Sequence, residues 1–173
     1  MKIGIVSDSH DRTDALGNAV RDAAAHGARA IIHCGDLIGA HTLQSAIPSG
    51  LPLHLIHGNN IGDQAALHRL SMKHPGVVHY HGMDARLDLA GRRIFAVHYP
   101  EYGHAMACTG NWDVVCCGHS HRAGIERIAN VQGGSTWLVN PGTVAGISAP
   151  ATWVLGDLAT LHFTIQMTPA MAA

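Results

Sequence analysis

Seven side chains that are able to bind a metal ion follow closely on predicted strands. Five strand ends supply them in order along the chain, and the set combines carboxylate, amide and imidazole groups: Asp8, His10, Asp36, Asn59, His98, His119 and His121. In open α/β sheets ligands bind in the crevice at the carboxyl ends of the strands, so these side chains can converge on one site. Each of them alone is weak evidence, because Gly-Asp and Gly-Asn are ordinary turn dipeptides. Their order and setting together indicate a metal centre.

The stretch CCGHSH places two cysteines beside two of these histidines. It could be half of a zinc knuckle, a redox pair or the end of a buried strand. Adjacent side chains on a strand point to opposite faces, so Cys116 and Cys117 would chelate poorly, and no second cysteine pair completes a knuckle. We therefore predict that both thiols end a buried strand as small apolar residues. Gly118 is expected to permit a tight turn, and His119 and His121 to project to the same side of an extended segment.

Strands and helices that could position these residues alternate in the first half of the chain. The predicted strands MKIGIVS, ARAIIHC and LPLHLIH are followed by helices over residues 13–27, 42–47 and 64–72. After Gly76 the pattern favours successive short strands, with one helix over residues 101–108. These later strands are VVHYHG, MDARLDLAG, RRIFAVH, WDVVCC, GIERIA, STWLVN, ATWVLGDL and LHFTIQM. The pattern predicts an α/β fold of two packed mixed β-sheets flanked by helices, and not a single doubly wound sheet.

The composition indicates one globular domain over residues 1–173 and argues against several classes of function. Hydrophobic residues make up 47% and charged residues 13% of the chain. The net charge is −1 and no basic run occurs, so we expect no duplex nucleic-acid partner. No apolar run reaches about 18 residues, so we expect no membrane span. Without a signal-like segment the chain is expected in the cytoplasm with its four cysteines as thiols, and residues 168–173 are expected to form a loose tail.

The full series of motifs resembles the calcineurin-like metallophosphoesterases, and among them the small single-domain phosphodiesterases of bacteria and archaea. The matching residues are Asp8-Ser9-His10, Gly35-Asp36, Gly58-Asn59, His98, Gly118-His119-Ser120-His121 and Asn140-Pro141-Gly142. The resemblance runs from residue 1 to about residue 145, with its motifs within residues 8–142. It implies a four-layer sandwich fold and a metal-dependent phosphoric ester hydrolase activity.

In enzymes of this kind two divalent ions lie side by side, and the resemblance assigns ligands to each. The first ion would be held by Asp8, His10, Asp36 and His121, and the second by Asp36, Asn59, His98 and His119. Asp36 would bridge both ions. Asp36, Asn59 and His98 would then act in catalysis through a water or hydroxide that bridges the ions and attacks the phosphorus in line. Mixed oxygen and nitrogen ligands suit Mn²⁺, our favoured ion, and also Fe, Ni, Co or Zn, better than Mg²⁺ or Ca²⁺.

Asn60 stands where many metallophosphoesterases carry a histidine that assists the leaving group. An amide cannot act as a general acid, a contribution that is typically worth about 10²–10⁴-fold in rate. The small phosphodiesterase group commonly lacks that histidine too, so we expect a preference for small diesters with good leaving groups. Asn60 is then a candidate for substrate binding, and His33, His57 and His104 are alternatives for the acid.

The segment after His98 also departs from the small group, which often reads His-Gly-His there. This chain continues YPEYGH, from Tyr99 to His104. Tyr99 and His104 are candidates for substrate contact, and the bulky segment could form a wall over the centre and stack a base or an aryl group on Tyr99 or Tyr102. Alternatively the loop is rearranged and contacts no substrate, or His104 replaces His98 as a ligand of the second ion.

Two further functions compete with the phosphodiesterase. A phosphomonoesterase, including a protein phosphatase, could use the same ions, although the missing acid counts against it. A subunit of the retromer coat resembles this fold and acts as a protein-interaction scaffold, and a scaffold can lose its ligands without penalty, whereas this chain keeps the full set. The expected partner is a small phosphoester, and the resemblance implies that a homo-oligomer, a dimer or a tetramer, can form.

Overall fold

The computed structural model describes residues 1–169 as eleven β-strands, three α-helices and two short 3-10 helices. The strands are β1 (Lys2–Val6), β2 (Ala28–His33), β3 (Leu53–Leu55), β4 (Val78–Tyr80), β5 (Asp84–Leu89), β6 (Arg92–Val97), β7 (Val114–Cys116), β8 (Ala123–Ala129), β9 (Ser135–Pro141), β10 (Thr152–Asp157) and β11 (His162–Met167). The helices are α1 (Thr13–Ala25), α2 (Gln64–Lys73) and α3 (Pro100–Cys108), and the 3-10 helices are Ala40–Ser45 and Ile47–Ser49. None of the helices in this part of the chain is long and apolar enough to cross a membrane.

The first sheet has the strand order β11-β10-β1-β2-β3-β4. Strands β1 to β4 run parallel, with Gly4 opposite Ile31 and Leu53 opposite Val78. Strand β10 is antiparallel to β1, and β11 is antiparallel to β10. The four parallel strands therefore end at one edge of the sheet, where the loops that follow them lie side by side.

The second sheet has the order β5-β6-β7-β9-β8. Its three central strands β6, β7 and β9 are parallel, with Phe95 opposite Val115 and Val115 opposite Leu138. The two outer strands, β5 and β8, are antiparallel to their neighbours. This sheet thus also gathers the ends of its central strands at a single edge.

The two sheets pack face to face, and helices cover their outer faces. Ile5, Ile32 and Ile94 belong to the buried core between the sheets. Alternate residues of a strand point to opposite faces, so Ile31 packs instead in the outer cluster together with residues of α1 and α2. A third cluster packs α3 on the second sheet through Phe95 and other apolar residues. The arrangement confirms the α/β class, the two mixed sheets and the four-layer sandwich.

The strand within VVHYHG pairs in parallel with β3 in the first sheet, so the chain enters the second sheet only after β4. Two local expectations need correction or restriction. The helix expected over residues 42–47 is two 3-10 helices, and Pro48 lies inside the second, where proline is tolerated because a first turn needs no N–H donor. The tail expected at residues 168–173 is bonded at its first residue, because Thr168 donates its N–H to Ala151 O at 2.9 Å. Residues 170–173 lie outside the described residues.

Candidate metal centre

The seven residues singled out in the sequence come together where the parallel strands of both sheets end. Backbone hydrogen bonds tie the loops to one another. Asp8 N donates to Gly35 O at 3.0 Å, which joins the loops after β1 and β2. Gly118 N donates to His98 O at 2.9 Å, which joins the loops after β7 and β6. The side chains are thus carried by loops that the two sheets hold in place.

Five of the seven residues have a backbone in the left-handed region. Their φ angles are 54° for Asp8, 42° for His10, 56° for Asp36, 64° for His119 and 58° for His121. Such a conformation costs about 1–3 kcal/mol for a residue other than glycine, and it tends to occur at functional sites. The expectation that residues 119–121 are extended is therefore wrong, because an extended backbone has a negative φ. The two histidines instead point to different groups of ligands.

Asp8, His10 and His121 form the first group, with ligand atoms that lie within 4.8 Å of one another. Nε2 of His121 is 3.3 Å from Asp8 Oδ1 and 3.1 Å from Nε2 of His10. Asp8 is buried, and within the described chain its Oδ1 has no hydrogen-bond partner. Burial raises the pKa of this carboxyl, and the hydrogen bond from Ser7 and the nearby histidines only partly offset that effect. A buried carboxylate in this state gains stability from a cation.

Asn59, His98 and His119 form the second group around the amide oxygen of Asn59. This Oδ1 lies 2.9 Å from His98 Nε2 and 2.9 Å from His119 Nδ1. Asp36 lies between the groups, because its Oδ1 is 3.4 Å from His98 Nε2 and its Oδ2 is 3.8 Å from His10 Nε2. Asp8 is also near the second group, since ligand atoms of Asp8, Asp36 and His98 lie within 4.8 Å of one another.

The backbone fixes the tautomers of two histidines. His98 Nδ1 is 2.8 Å from Cys34 O, and His121 Nδ1 is 2.8 Å from Ile147 O. A carbonyl oxygen only accepts, so both Nδ1 atoms carry a proton, and in the neutral rings both Nε2 atoms present a lone pair to the centre. His98 Nε2 and Asn59 Oδ1 therefore face each other as two acceptors. Converging lone pairs and carboxylates fit a divalent cation, and backbone carbonyls often orient metal-binding histidines in this way.

Asn60 holds the carboxylate of Asp36. Its backbone N donates to Asp36 Oδ1 at 2.9 Å, and its side-chain amide donates to Asp36 Oδ2. Burial by itself would raise the pKa of Asp36, but the hydrogen bonds from Asn60 and the nearby His98 and His10 lower it overall. Asp36 is thus kept ionised and oriented, and the side chain of Asn60 already has a partner inside the protein.

Two glycines leave room for the centre. A Cβ on Gly58 would meet Asp36 Oδ1 in a severe clash and would lie 2.8 Å from His98 Cε1. A Cβ on Gly118 would clash with Ser7 Oγ and lie 2.8 Å from Asp8 Oδ2. The φ of Gly118 is not in the left-handed region, so the expected tight turn is not what requires glycine there. The close approach of neighbouring side chains requires it.

The three histidines considered for leaving-group protonation differ in their burial and hydrogen-bond partners. His33 is buried, accepts from Gly35 N at 3.2 Å and contacts Ser9 Oγ at 3.0 Å, and burial lowers its pKa to about 3. A neutral, fully bonded imidazole cannot be the acid, so His33 is excluded. His57 Nδ1 is 2.8 Å from the hydroxyl of Tyr80, and burial lowers its pKa.

His104 does not join the centre. It lies exposed on α3, and its Nδ1 is 3.7 Å from Cys108 Sγ, one helical turn away. The hypothesis that His104 replaces His98 as a ligand is wrong, because residues 100–108 form a helix and His98 itself occupies the site. The expectation that His104 contacts substrate loses its basis for the same reason, since His104 is not among the residues that line the adjacent cleft.

An open cleft of about 450 Å³ adjoins Asn59 and His98. It is lined by His57, Gly58, Asn59, Ile61, Met83, Asp84, Val97, His98, Tyr99 and Tyr102. The ring of Tyr99 stands edge-on to His119, with ring centroids 4.8 Å apart, and to His98 at 5.4 Å. Tyr99 and Tyr102 therefore form a wall beside the centre, and substrate contact by this segment stays a prediction.

The cysteines behave as predicted. Cys116 ends β7, both it and Cys117 are buried, and all four cysteines of the chain are free. Burial raises the pKa of the Cys117 thiol to about 12, so the thiol is protonated and inert at neutral pH.

Sequence reasoning missed several contributors to the site. The carbonyl groups of Cys34 and Ile147 orient two histidines, but backbone atoms leave no signature in residue types. Ile61 and Met83 also line the cleft. Both are exposed apolar residues in loops, and that property is the signal that could have identified them.

Comparisons with known proteins agree with this geometry. The model of the calcineurin-like phosphoesterase superfamily domain matches residues 1–161. A phosphodiesterase from Methanocaldococcus jannaschii is 25% identical over 152 residues, which cover 84% of this chain and 86% of that protein. The solved structure of an archaeal phosphodiesterase superposes with a TM-score of 0.86 at 21% identity, over 96% of this chain and 99% of that one. Vacuolar protein sorting 29 from Cryptosporidium parvum shares the fold with a TM-score of 0.60 at 13% identity, over 96% and 95% of the two chains.

Proposed function

Because the chain belongs to the calcineurin-like phosphoesterase superfamily, we propose that it is a metal-dependent phosphodiesterase that acts on small diesters. One observation carries the proposal: carboxylate, amide and imidazole acceptor atoms converge at the strand ends, and two of the imidazoles are fixed with their lone pairs inward. A scaffold protein would have no need of a buried carboxylate oxygen without a partner or of five strained backbone positions at one site. The name of the relative from Methanocaldococcus jannaschii supports the activity.

The proposed ligands form two sets with Asp36 in common. Asp8, His10 and His121 would complete one set, and Asn59, His98 and His119 the other. When bound, divalent ions supply positive charge opposite the phosphoryl oxygens and lower the pKa of water enough to provide hydroxide near neutral pH. Mn²⁺ is the favoured ion, since mixed oxygen and nitrogen ligands suit it. The cytoplasmic setting and the dimer or tetramer stay predictions.

The chain itself contributes preorganisation. Cys34 O and Ile147 O hold His98 and His121 with the correct nitrogen inward, and Asn60 holds both oxygens of Asp36. These groups need not reorganise when charge develops on the phosphoryl group, which is how oriented dipoles lower a barrier. Asn60 acts here as a positioning residue.

The diester preference rests on the named activity of the relative from Methanocaldococcus jannaschii, and the preference for good leaving groups rests on the lack of an obvious acid. The amide of Asn60 cannot release a proton, and His33 is neutral and fully bonded. An ester with a good leaving group needs little protonation of the departing oxygen, so such substrates tolerate the missing acid best. Phosphomonoesterase activity is the alternative.

The test compares bis(p-nitrophenyl) phosphate with p-nitrophenyl phosphate, with Mn²⁺, Fe²⁺, Ni²⁺, Co²⁺ or Zn²⁺ supplied. We expect kcat/KM for the diester to exceed that for the monoester by at least about tenfold. Faster hydrolysis of the monoester would replace the diesterase by a phosphomonoesterase. A protein that holds no metal and hydrolyses neither ester with any ion would instead be a scaffold.

Metal analysis tests the two-ion arrangement without relying on activity. Wild-type protein is expected to retain two ions per chain after desalting, and His119→Ala fewer, because it removes a ligand of one set only. His162→Ala is the control, since His162 is exposed on β11, away from the strand ends that carry the ligands. A wild-type protein saturated by one ion would contradict the dinuclear arrangement.

A further inference from the structure

The cleft beside the centre has the shape of a binding site that the proposed hydrolytic chemistry does not require. It opens next to Asn59 and His98, and its volume of about 450 Å³ lies within the range of about 300–1,000 Å³ that is usual for small-molecule sites. A phosphoryl group at the centre would carry one of its ester groups into this cleft. The cleft therefore bears on which diester the protein accepts.

Exposed apolar side chains are concentrated along this cleft. Ile61 is 52% exposed, Met83 73% and Tyr102 63%, and all three line it. Large apolar side chains that remain in water side by side usually mark a surface that a ligand or a partner covers. Continuity with the candidate metal centre favours a ligand here, because the same cleft is walled by two of the proposed metal ligands.

The aromatic residues form a corner that suits a flat guest. Tyr102 stands edge-on to Tyr99, with ring centroids 5.6 Å apart and an angle of 71° between the planes. Tyr99 in turn stands edge-on to His119. A third ring that stacks or sits edge-on at this corner is stabilised beyond the area that it buries, and the thioether of Met83 also favours aromatic neighbours.

The charges along the cleft argue against an anionic guest. Among the described residues that line it there is no lysine or arginine, and Asp84 is the carboxylate. Arg86 lies 3.8 Å from Asp84, but that pair is exposed to solvent and contributes little. A second cleft, of about 340 Å³, has Ser120 and Arg122 in its lining, on either side of His121 in the chain. Arg122 is accompanied there by Glu101 and Glu126, so this cleft offers polar contacts but no excess of positive charge.

We propose that the cleft formed by Ile61, Met83, Tyr99 and Tyr102 binds an uncharged aromatic ring that belongs to one of the ester groups of the phosphate. The inference rests on the proposed phosphodiesterase function and gives its substrate class: diesters with at least one flat, neutral aromatic group, such as an aryl group or the base of a nucleoside. A bare alkyl diester leaves the cleft empty, and a group with further phosphates meets Asp84 instead of a cation.

Inhibition constants separate this subsite from the leaving-group chemistry. Dimethyl phosphate, methyl phenyl phosphate and the methyl ester of thymidine 5′-phosphate are tested as competitive inhibitors of bis(p-nitrophenyl) phosphate hydrolysis. We expect an inhibition constant for one or both aromatic esters at least about tenfold below that of dimethyl phosphate. The lower of the two identifies the ring as aryl or nucleobase. Equal inhibition constants for all three esters would overturn the subsite but would not contradict the phosphodiesterase function.

Variants locate the effect in the cleft. Tyr102→Ala and Met83→Ala are expected to reduce the aromatic preference to about two- to threefold, while Tyr102→Phe keeps it because the ring remains. Met72→Ala is the matched control, since Met72 on α2 is also 73% exposed but does not line the cleft. An aromatic preference that survives both alanine changes in the cleft would place the ring elsewhere and overturn the proposal.

A second readout does not depend on hydrolysis. In protein with ¹³C-labelled methionine methyl groups and bound Zn²⁺, methyl phenyl phosphate should shift the Met83 resonance through the ring current and leave Met72 unchanged, and dimethyl phosphate should shift neither. A Met83 shift in a protein without diesterase activity would support the subsite while the proposed function fails. No shift at Met83 with saturating methyl phenyl phosphate would overturn the subsite.

Discussion

Two His-x-His sequences in this chain have opposite structural outcomes. His79 and His81 flank Tyr80 at the end of β4, and His119 and His121 flank Ser120 after β7. The first pair stays on one side of an edge strand and packs around His54 of β3, with ring centroids 4.8 Å and 5.3 Å from that of His54. The second pair has a left-handed backbone and separates, one histidine toward Asn59 and the other toward Asp8. The spacing is the same, and the backbone decides what the histidines contact.

The chemical surroundings differ as much as the backbone does. In the edge histidines (His54, His79 and His81), Nδ1 of His54 lies 3.1 Å from Nε2 of His81, so the rings satisfy one another. In the candidate metal centre, backbone carbonyls take the outer nitrogens and buried carboxylates face the inner ones. Outer nitrogens held by carbonyl groups and acceptors that converge on the inner ones therefore distinguish the candidate metal centre from the edge histidines. Four predictions test this distinction.

The largest effect is expected at the shared carboxylate. Asp36→Asn should lower kcat/KM with Mn²⁺ by at least about 10³-fold, because it weakens the ligand common to both sets, a larger change than the roughly 10–100-fold typical of an outer-shell partner. Asp88→Asn, exposed on β5, is the matched control and should keep wild-type activity. Retained activity of Asp36→Asn with two bound ions would contradict the bridging assignment.

Metal binding should stabilise the protein through the centre and not through the edge histidines. At about 100 times the dissociation constant, Mn²⁺ should raise the free energy of unfolding by about 2.7 kcal/mol for each ion bound, measured by chemical denaturation against chelator-treated protein. The increment should persist in the variant with His79→Gln and His81→Gln and shrink in Asp8→Asn. If the edge variant loses the increment instead, the distinction between the clusters fails.

The fit of the loops around the centre can be tested at Gly58. Gly58→Ala should reduce Mn²⁺ affinity by about 10–100-fold, because its Cβ would displace Asp36 Oδ1 and the ring of His98. Gly134→Ala is the control, since its nearest neighbours would lie 3.7 Å from the added Cβ and its φ is not left-handed. Isothermal titration with Mn²⁺ measures the affinity of both variants. Equal affinities for Gly58→Ala and Gly134→Ala would show that the loop accommodates the added Cβ without weakening the centre.

The smallest effect belongs to the edge histidines and appears as pH dependence. Burial, together with His79 and His81, lowers the pKa of His54 from 6.5 to about 4. The unfolded state therefore binds more protons between these values, and stability falls as the pH drops from about 6.5 to about 4. After allowance for solvent screening of this half-buried group, we expect a loss of about 1 kcal/mol.

The variant His54→Gln isolates that contribution. Its unfolding free energy should fall less steeply between pH 6.5 and pH 4 than that of the wild type. The exposed His162→Gln serves as the matched control and should follow the wild-type curve. Identical slopes for all three proteins would show that protonation of His54 costs the folded state nothing.

Much of the fold followed from patterns in the sequence. The chain alternates strands and helices up to residue 76 and is rich in strands after it, and this pattern predicted two packed mixed sheets. Strands such as MKIGIVS and WDVVCC could be recognised because a strand that is buried on both faces is apolar along its length. The seven polar residues could be found since each follows a strand. The partner of a strand could not be read in the same way: β4 joins the first sheet and β10 returns to it, and only pairing across the chain decides this.

The sequence by itself determined which chemical groups are available: carboxylates, an amide and imidazoles at strand ends, with Asn60 in place of a histidine. Only the tertiary structure decided what they do, because their roles depend on atoms that are distant along the chain. Ile147 O fixes His121, Cys34 O fixes His98, and Asn60 binds Asp36 across 24 positions. The left-handed backbone at His119 and His121 is likewise held by long-range contacts, so the same His-x-His spacing gives a stacked edge in one place and a candidate metal centre in the other.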